Sequence, residues 1–352
     1  MLDDTHRFLD LATERLGLDA DVRKQVKQAN AEHVFQIDLD NGKSFNAYRV
    51  QHNNSRGPYK GGIRYHQNVT LDEVRTLSTL MSLKTAAVGL PLGGGKGGIE
   101  VNPRELSAEE LEELTRKYVR GLHQHIGPDQ DIPAPDVNTN GTIIDWMVDE
   151  YEKLTGDSSR ASFTGKTIAN GGSLGRDAAT GRGGVLALTE WLTLEDNGEK
   201  PMKYAVQGFG NVGSFFATTI DQMCPSWTLV SASDSQTAVF DANGLDAEKL
   251  QKFKSDGGRF VDFDGEKITN EELIALDVDV LVLAGLEDAV SNSNMKTVQA
   301  KYLVEMANSP VTFNAHEYLE GENHVIIPDI IANAGGVIVS YLEWVQNRAD
   351  EK

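Results

Sequence analysis

The segment Gly208-Phe209-Gly210-Asn211-Val212-Gly213 constrains the fold most, because it joins an apolar run, Tyr204-Ala205-Val206-Gln207, to a helical pattern from Ser214 through Met223. Between a strand and a helix each glycine has its own task. The first permits a tight turn, the second lets backbone approach a pyrophosphate, and the third allows close helix packing, while the helix N-terminus offers aligned amides to the anion. The spacing alone also suits an ordinary glycine turn. Context favours the ligand: Asp234 ends the next apolar run 21 residues beyond Gly213, near the ~20 expected of the acid that binds a ribose hydroxyl. Gly208, Phe209, Gly210, Asn211, Val212, Gly213 and Asp234 are therefore the expected dinucleotide site. An aspartate repels a 2′-phosphate and no arginine stands immediately beside it, so NAD is the expected cofactor, with NADP possible. Asp234 has a second reading, as a helix N-cap or turn aspartate.

From about Thr164 onward, short β-type apolar runs recur at 204–206, 229–232, 278–283, 302–304 and 325–327, with helical patterns between them. Runs apolar on both faces and separated by helices indicate a parallel sheet covered on two sides, the doubly wound arrangement. The first part of the chain begins with a helical pattern through Phe8, Leu9, Leu11 and Leu16. It continues with a strand pair, 34–39 and 45–50, joined through Asp40-Asn41-Gly42. Thr70-Leu71-Asp72-Glu73 and Ser107-Ala108-Glu109-Glu110 have the capping-box form. The fold class is α/β, an N-terminal α/β domain plus a doubly wound dinucleotide-binding domain. The crowded glycines between 155 and 180 mark the boundary and suggest a hinge.

Charge removes whole classes of partner. With 33 basic against 53 acidic side chains the chain carries −20, and such a surface repels nucleic acid and anionic membranes, which are gripped by clustered Lys and Arg. No apolar run reaches the ~20 residues of a membrane span, and the acidic first residues do not resemble a signal peptide. A single cysteine, Cys224, excludes intrachain disulfides and a thiolate metal cluster and fits a reducing compartment, so a soluble cytoplasmic protein is expected. The acid excess also suits hydration at high salt, hence a halophilic host. No metal site is expected: His123 and His125, read as i and i+2 on a helix, point apart.

Three lysines sit in unusual company: Lys60 within Gly57-Pro58-Tyr59-Lys60-Gly61-Gly62, Lys84 in a helix, and Lys96 within Gly93-Gly94-Gly95-Lys96-Gly97-Gly98. After Thr70 the apolar stripe runs Leu71, Val74, Leu77, Met81, Lys84, Val88 at helical steps, which puts Lys84 on the buried face. A buried ammonium wants an anion in a cleft; the alternative is an ammonium snorkelling to the helix edge. The glycines around Lys60 and Lys96 let a small ligand approach, or they mark flexible surface turns. If the three converge, repulsion and desolvation lower the pKa of at least one, giving a neutral amine that can act as a base near pH 7. Asp136, in Ile132-Pro133-Ala134-Pro135-Asp136-Val137, either shuttles a proton beside that amine or caps the helix starting near Asn140.

The stretches 57–64, 91–98, His125-Ile126-Gly127-Pro128-Asp129, 133–140, Gly172-Ser173-Leu174-Gly175-Arg176 with Ala179-Thr180-Gly181, 208–213, and Ile327-Pro328-Asp329-Ile330-Ile331-Ala332-Asn333-Ala334-Gly335-Gly336 ending in Ser340-Tyr341-Leu342-Glu343-Trp344 occur in one order along nearly the whole chain. In that order they resemble the glutamate dehydrogenases of the Glu/Leu/Phe/Val dehydrogenase family. The resemblance implies reversible oxidative deamination of L-glutamate to 2-oxoglutarate and ammonia, with hydride passing between the substrate α-carbon and nicotinamide. It implies that Lys96 activates water and that Asp136 moves protons at the substrate nitrogen. Lys84 is implied to hold the α-carboxylate, and Lys60 with Ser340 the distal carboxylate, with Gly61 and Met81 in the same pocket. Thr180 and Asn333 would lie at the nicotinamide end and Asn308 near its ribose.

The resemblance further implies a substrate-binding and oligomerisation domain over 1–165, a Rossmann-type domain over 166–333, a return helix from 334, and a homohexamer. The chain departs from the family in a shorter C-terminus and at Leu283–Asp288 and Asn308-Ser309-Pro310. A non-catalytic or regulatory paralogue is opposed by the intact lysines and Asp136. A dehydrogenase of an apolar amino acid is opposed by Lys60, a cation suited to a side-chain carboxylate.

Overall fold

The computed structural model describes residues 2–197 and 200–349. They form two compact units, one built from the residues up to Arg176 together with those from Val337 onward, the other from Asp177–Gly336.

The first unit rests on five strands, β1 (Ala31–Asp38), β2 (Ser44–Asn53), β3 (Tyr59–Tyr65), β4 (Gly94–Ile99) and β5 (Asp131–Pro135), arranged β1-β2-β4-β3-β5. The hairpin β1–β2 turns through Asp40-Asn41-Gly42 as expected, with Gly42 at φ +87°. β2 pairs antiparallel with β4, and β4, β3 and β5 run parallel. Helices α1 (Leu2–Arg15), α2 (Ala20–Lys27), α3 (Leu71–Ala87), α4 (Ala108–Leu122) and α5 (Gly141–Thr155) complete it. One face of the sheet packs Ala47, Ile63 and Ile99 against Leu114 and Tyr118 of α4 and Met147 of α5. On the other, Val50 meets Val69 and Val74 at the start of α3.

Ser107 and Glu110 form the anticipated reciprocal cap on α4. On α3 only half of one forms. Thr70 accepts from the Glu73 amide, while the Glu73 carboxylate is drawn away to Arg64. α4 ends at Leu122, so His123 and His125 lie beyond it rather than on a helix, and His125 stacks on His33 at 4.1 Å.

The glycine stretches around Lys60 and Lys96 are strand interiors, not turns. A Cβ on Gly61 would lie 1.6 Å from the Gly95 carbonyl oxygen, one on Gly94 2.2 Å from Ser82 Oγ, and one on Gly97 2.4 Å from the Tyr118 hydroxyl. Neighbouring backbone and helices press so close that only glycine fits, which outweighs its poor strand propensity. β5 carries two prolines because it is an edge strand.

In the second unit, β6 (Lys203–Gln207), β7 (Thr228–Ser233), β8 (Ala238–Phe240), β9 (Glu266–Ile268), β10 (Val280–Leu283), β11 (Tyr302–Glu305) and β12 (Val325–Ile327) form a sheet ordered β12-β11-β10-β6-β7-β8-β9. The strands from β12 to β7 are parallel; β8 and β9 are added antiparallel at one edge. These two strands are only three residues each, Ala-Val-Phe and Glu-Lys-Ile, and were not expected. The helices of this unit are α6 (Arg176–Leu194), α7 (Asn211–Met223), α8 (Ala247–Ser255), α9 (Asn270–Ile274), α10 (Phe313–Gly321) and α11 (Asp329–Ala332); α12 (Gly335–Ala349) belongs to the first unit from Val337 onward. Leu188, Phe216 and Val282 fill one face, Leu281, Leu303 and Leu319 the other. Burial on both sides is what the continuous apolar runs required. Chain order reverses at β6, between β7 and β10, and ligands of such sheets sit beyond the strand ends at this point. Among the described residues no helix is long and apolar enough to cross a membrane.

Candidate active site

Strand alternation places Lys60, Gly62 and Arg64 on one face of β3. Ile63 is level with Gly97, so continuing the register by one residue sets Lys96 beside Gly62 on that same face. α3 covers this face, because Gly94 lies against Ser78 and Ser82 and Gly98 against Val74. Lys84, in the last turn of α3, is buried, as are Lys60 and Lys96. Met81, one turn before Lys84, approaches the missing side chain of Gly61 to 3.4 Å. The structure therefore gathers Lys60, Gly61, Met81, Lys84 and Lys96 in one region of the first unit.

Asp136 joins them. A Cβ on Gly62 would stand 2.8 Å from the Asp136 Cβ and 2.7 Å from the Pro135 oxygen, so glycine there is the condition for Asp136 to reach inward. Lys96 Nζ donates to Asp136 Oδ2 at 2.5 Å, and Arg64 Nε to Oδ1 at 2.8 Å. Asn140, not Asp136, caps α5, which removes the capping alternative. Burial lowers the Lys96 ammonium pKa; Asp136 opposes that shift and Arg64 reinforces it. Burial would raise the Asp136 carboxyl, yet Lys96 and Arg64 hold it far below the usual carboxylate range. The site thus holds a ready-formed ammonium–carboxylate pair, in which the amine gives up its proton more easily than an ordinary lysine.

Burial also drives Lys60 well below the usual lysine value, helped by Arg176 and Arg49; its Nζ donates to the Ile132 carbonyl at 3.1 Å. Arg176 donates to Ser340 Oγ at 2.5 Å. Lys60, Arg176 and Ser340 thus form a cationic, hydroxyl-bearing cluster; among the described residues no carboxylate forms an ion pair with the Lys60 ammonium, on which Glu343 and Asp131 act from further off. Arg176 ends the Gly172-Ser173-Leu174-Gly175-Arg176 motif but is not among the expected site residues; its signal is adjacency to the glycine turn at 171–175. Nearby, Glu343 on α12 accepts from both Gly165 N, at 2.9 Å, and Lys166 Nζ, at 2.7 Å, which anchors the loop leading to Arg176.

In the second unit the Gly208 loop divides its labour as expected. Gly208 adopts φ +90° and a Cβ there would sit 2.5 Å from Gly285, at the end of β10; one on Gly213 would strike the Gly208 oxygen at 2.2 Å. Gly210, the N-cap of α7, faces open space. Phe209, in contrast, points into the core against Phe260, and its amide donates to the Ser233 oxygen at 2.6 Å, so it supports the loop rather than meeting a ligand. Val212 packs on the same core, and Asn211 donates to the Asp177 carbonyl at 2.9 Å.

Asp234 is already committed. One oxygen accepts the amides of Gln236 and Thr237; the other takes Lys254 Nζ and the Phe260 amide, both at 2.9 Å. These contacts overcome burial and hold its carboxyl at about 2. All roughly four acceptor positions are filled, so the turn-aspartate reading describes this conformation. Asn333 donates to the carbonyls of Met306 and Ala307 and to Asn308 Oδ1, leaving its own Oδ1 buried without a hydrogen bond. Thr180 Oγ1 lies 2.9 Å from where a Cβ on Gly336 would be. A bare helix N-terminus at the sheet's switch point, an open backbone cradle at Gly210 and an orphaned amide oxygen on Asn333 fit a dinucleotide with a nicotinamide amide at one end.

This combination of a doubly wound dinucleotide fold and a buried lysine–aspartate pair defines a nicotinamide-dependent dehydrogenase. Residues 28–153 match the Glu/Leu/Phe/Val dehydrogenase dimerisation domain, and residues 171–351 match the Glutamate/Leucine/Phenylalanine/Valine dehydrogenase domain. The chain belongs to the Glu/Leu/Phe/Val dehydrogenase family. It is 46% identical over 343 residues to a glutamate dehydrogenase of Thermotoga maritima, covering 96% of this chain and 82% of that one. It is 44% identical over 346 residues to the NADP-specific glutamate dehydrogenase A1 of Halobacterium salinarum, covering 97% and 82%. A solved hetero-hexameric glutamate dehydrogenase of Thermus thermophilus, in a leucine-bound form, superposes with a TM-score of 0.92 at 34% identity, over 100% of this chain and 84% of that one.

Proposed function

We propose that this enzyme interconverts L-glutamate and 2-oxoglutarate with ammonia, using NAD, with NADP as a possible substitute. The observation that carries the reading is the Lys96–Asp136 pair beside a second cation cluster, the buried Lys60 and Ser340 with the half-buried Arg176. Bound NAD supplies the hydride acceptor. Lys96, its proton loosened by burial, activates water for attack on the carbon–nitrogen double bond of the oxidised substrate, and Asp136 takes and returns the proton as ammonia leaves. Lys84 holds the α-carboxylate; Lys60, Arg176 and Ser340 hold the distal one, with Gly61 and Met81 shaping the pocket. Charge pairing in that pocket selects a dicarboxylate over an apolar amino acid. The first unit supplies these groups, and the second holds the cofactor through the Gly208 loop, Thr180, Asn308 and Asn333.

Assembly as a homohexamer, a cytoplasmic location and tolerance of high salt belong to the same reading; the −20 charge supports the last. The test is NADH oxidation with ammonia and 2-oxoglutarate, and with apolar 2-oxo acids, from low to molar KCl. 2-Oxoglutarate should be preferred, and Lys96→Ala should lower kcat by about 10²–10⁴-fold with NADH binding unchanged. Preference for an apolar 2-oxo acid, or no turnover at any salt, would overturn it.

A further inference from the structure

Two charged side chains, Arg64 and Glu73, stand beside the lysine–aspartate pair. β3 lies between the strand of Lys96 and the strand that leads to Asp136, so a β3 side chain on their shared face can reach the carboxylate. Arg64 does so. Its Nε holds Asp136 Oδ1 at 2.8 Å, while its Nη1 donates to Glu73 in the first turn of α3. Lys96 occupies the other Asp136 oxygen. The Asp136 amide donates to Thr139 Oγ1 at 2.7 Å, which fixes the backbone as well.

The four charges sum to zero in a setting where none is more than 20% exposed. A carboxylate tethered at one oxygen cannot rotate about its broad terminal torsion, so its other oxygen stays aimed at the amine. The guanidinium never gives up its proton, so it is a constant positive charge beside a pair that must exchange one. Glu73 tempers that charge at the cost of its own half of the helix cap.

We propose that Arg64 and Glu73 are opposed positioning residues for the reaction: Arg64 fixes the rotation of Asp136 and favours loss of the proton from the Lys96–Asp136 pair, and Glu73 restrains it. The proposal rests on the glutamate dehydrogenase reading for its kinetic readout only. The main charges acting on Lys96 are Asp136, Arg64 and Glu73. Lys60 on β3, Lys84 on α3, and His52 and Tyr48 on β2, where His52 meets Ser82 of α3 at 2.7 Å, also belong to this face and are unchanged in every variant below.

The sign of the two effects is opposite. Removing Arg64 takes a repelling cation from Lys96 and an attracting one from Asp136, so both hold their protons to higher pH. Removing Glu73 takes an anion away, so both release them at lower pH. Arg64→Gln should move the acid limb of the kcat/KM profile up by about one pH unit and lower kcat, and Glu73→Gln should move it down by a smaller amount. The double variant should return close to wild type, and Arg64→Lys should restore the limb but not the full kcat, because one ammonium replaces a two-point fork. NADH binding should be unaffected throughout.

Competitive acetylation of Lys96 by acetic anhydride as a function of pH, located by peptide mapping, should give the same shifts without turnover. It therefore decides the proposal even where glutamate turnover fails. Shifts of the same sign in the two single variants, or none in either, would overturn it. If Arg64→Gln does not fold, the sign for Glu73→Gln decides alone: downward supports the proposal, and upward or unmoved sinks it.

Discussion

Glycine serves opposite ends around Lys96 in the first unit and at Gly210 in the second. In the first, Cβ atoms at Gly61, Gly62 and Gly94 would each fall within 3 Å of another residue, so the absent side chains bring charged neighbours together. In the second, Gly210 faces nothing within 4 Å, and its absent side chain leaves room for something that is not protein. The charges divide the same way. The first unit buries compensated ionic groups: Arg49 with Asp131, Lys166 with Glu343, Lys96 with Asp136. The Gly208 loop presents backbone instead. A proton that must move needs side chains with adjustable charge, whereas a ligand that need only be seated is served by amides and empty space.

The largest effect should come from breaking a compensated pair. Arg49 and Asp131 are wholly buried, and Asp131 also accepts from Gln51 Nε2 at 2.8 Å while Arg49 reaches the Gly61 carbonyl at 3.0 Å. Asp131→Ala would leave a guanidinium uncompensated at the strand that carries Lys60. A loss of about 3–5 kcal/mol is expected in urea unfolding. A loss below 1 kcal/mol would show that the first unit does not depend on such pairs.

What the chain made legible follows from range. The Gly208 loop and the parallel strands could be read because their signals are local: a spacing, and apolar runs bounded by turns. β3, β4 and β5 could not, because glycine and proline there are dictated by neighbours distant in sequence, Ser82 above Gly94 and Tyr118 against Gly97. Lys96 and Asp136 were recognised as candidates, but not that Arg64 and Glu73 bracket them. The two-residue alternation from Lys60 through Gly62 to Arg64 was the available clue, and it becomes readable only once the segment is known to be a strand. Asp234 shows the converse, a residue in the expected place whose acceptors are filled by Lys254 and three amides.

A matched pair of alanine substitutions sharpens the contrast at intermediate cost. In Gly62→Ala the new methyl would press on the Pro135 oxygen and on Asp136, so Asp136 should be pushed from Lys96. We expect a stability loss of about 1–3 kcal/mol and a disproportionate fall in kcat. Gly210 has φ −83° and open space, so Gly210→Ala should leave the melting temperature unchanged while weakening NADH about tenfold, as the methyl obstructs backbone approach. Thermal melts and NADH titration of both variants test this. Equal destabilisation of the two would erase the distinction drawn between these glycines.

The smallest effect concerns Lys254, the cation that offsets the one carboxylate standing at the expected ribose position. While it is paired, Asp234 presents little net charge against a 2′-phosphate and has no spare acceptor for a ribose hydroxyl. Lys254→Ala should free one acceptor position on Asp234 and leave its charge unpaired, so NADH should gain over NADPH by about tenfold or less, because the Lys254 site is partly exposed and screened by salt. The Phe260, Gln236 and Thr237 amides still hold the carboxylate, so its position should persist and the change should appear in the ratio of the two cofactors' affinities rather than in kcat. A ratio that moves toward NADPH would mean that Lys254 does not stand between Asp234 and the cofactor, and that the second unit seats its ligand by shape alone.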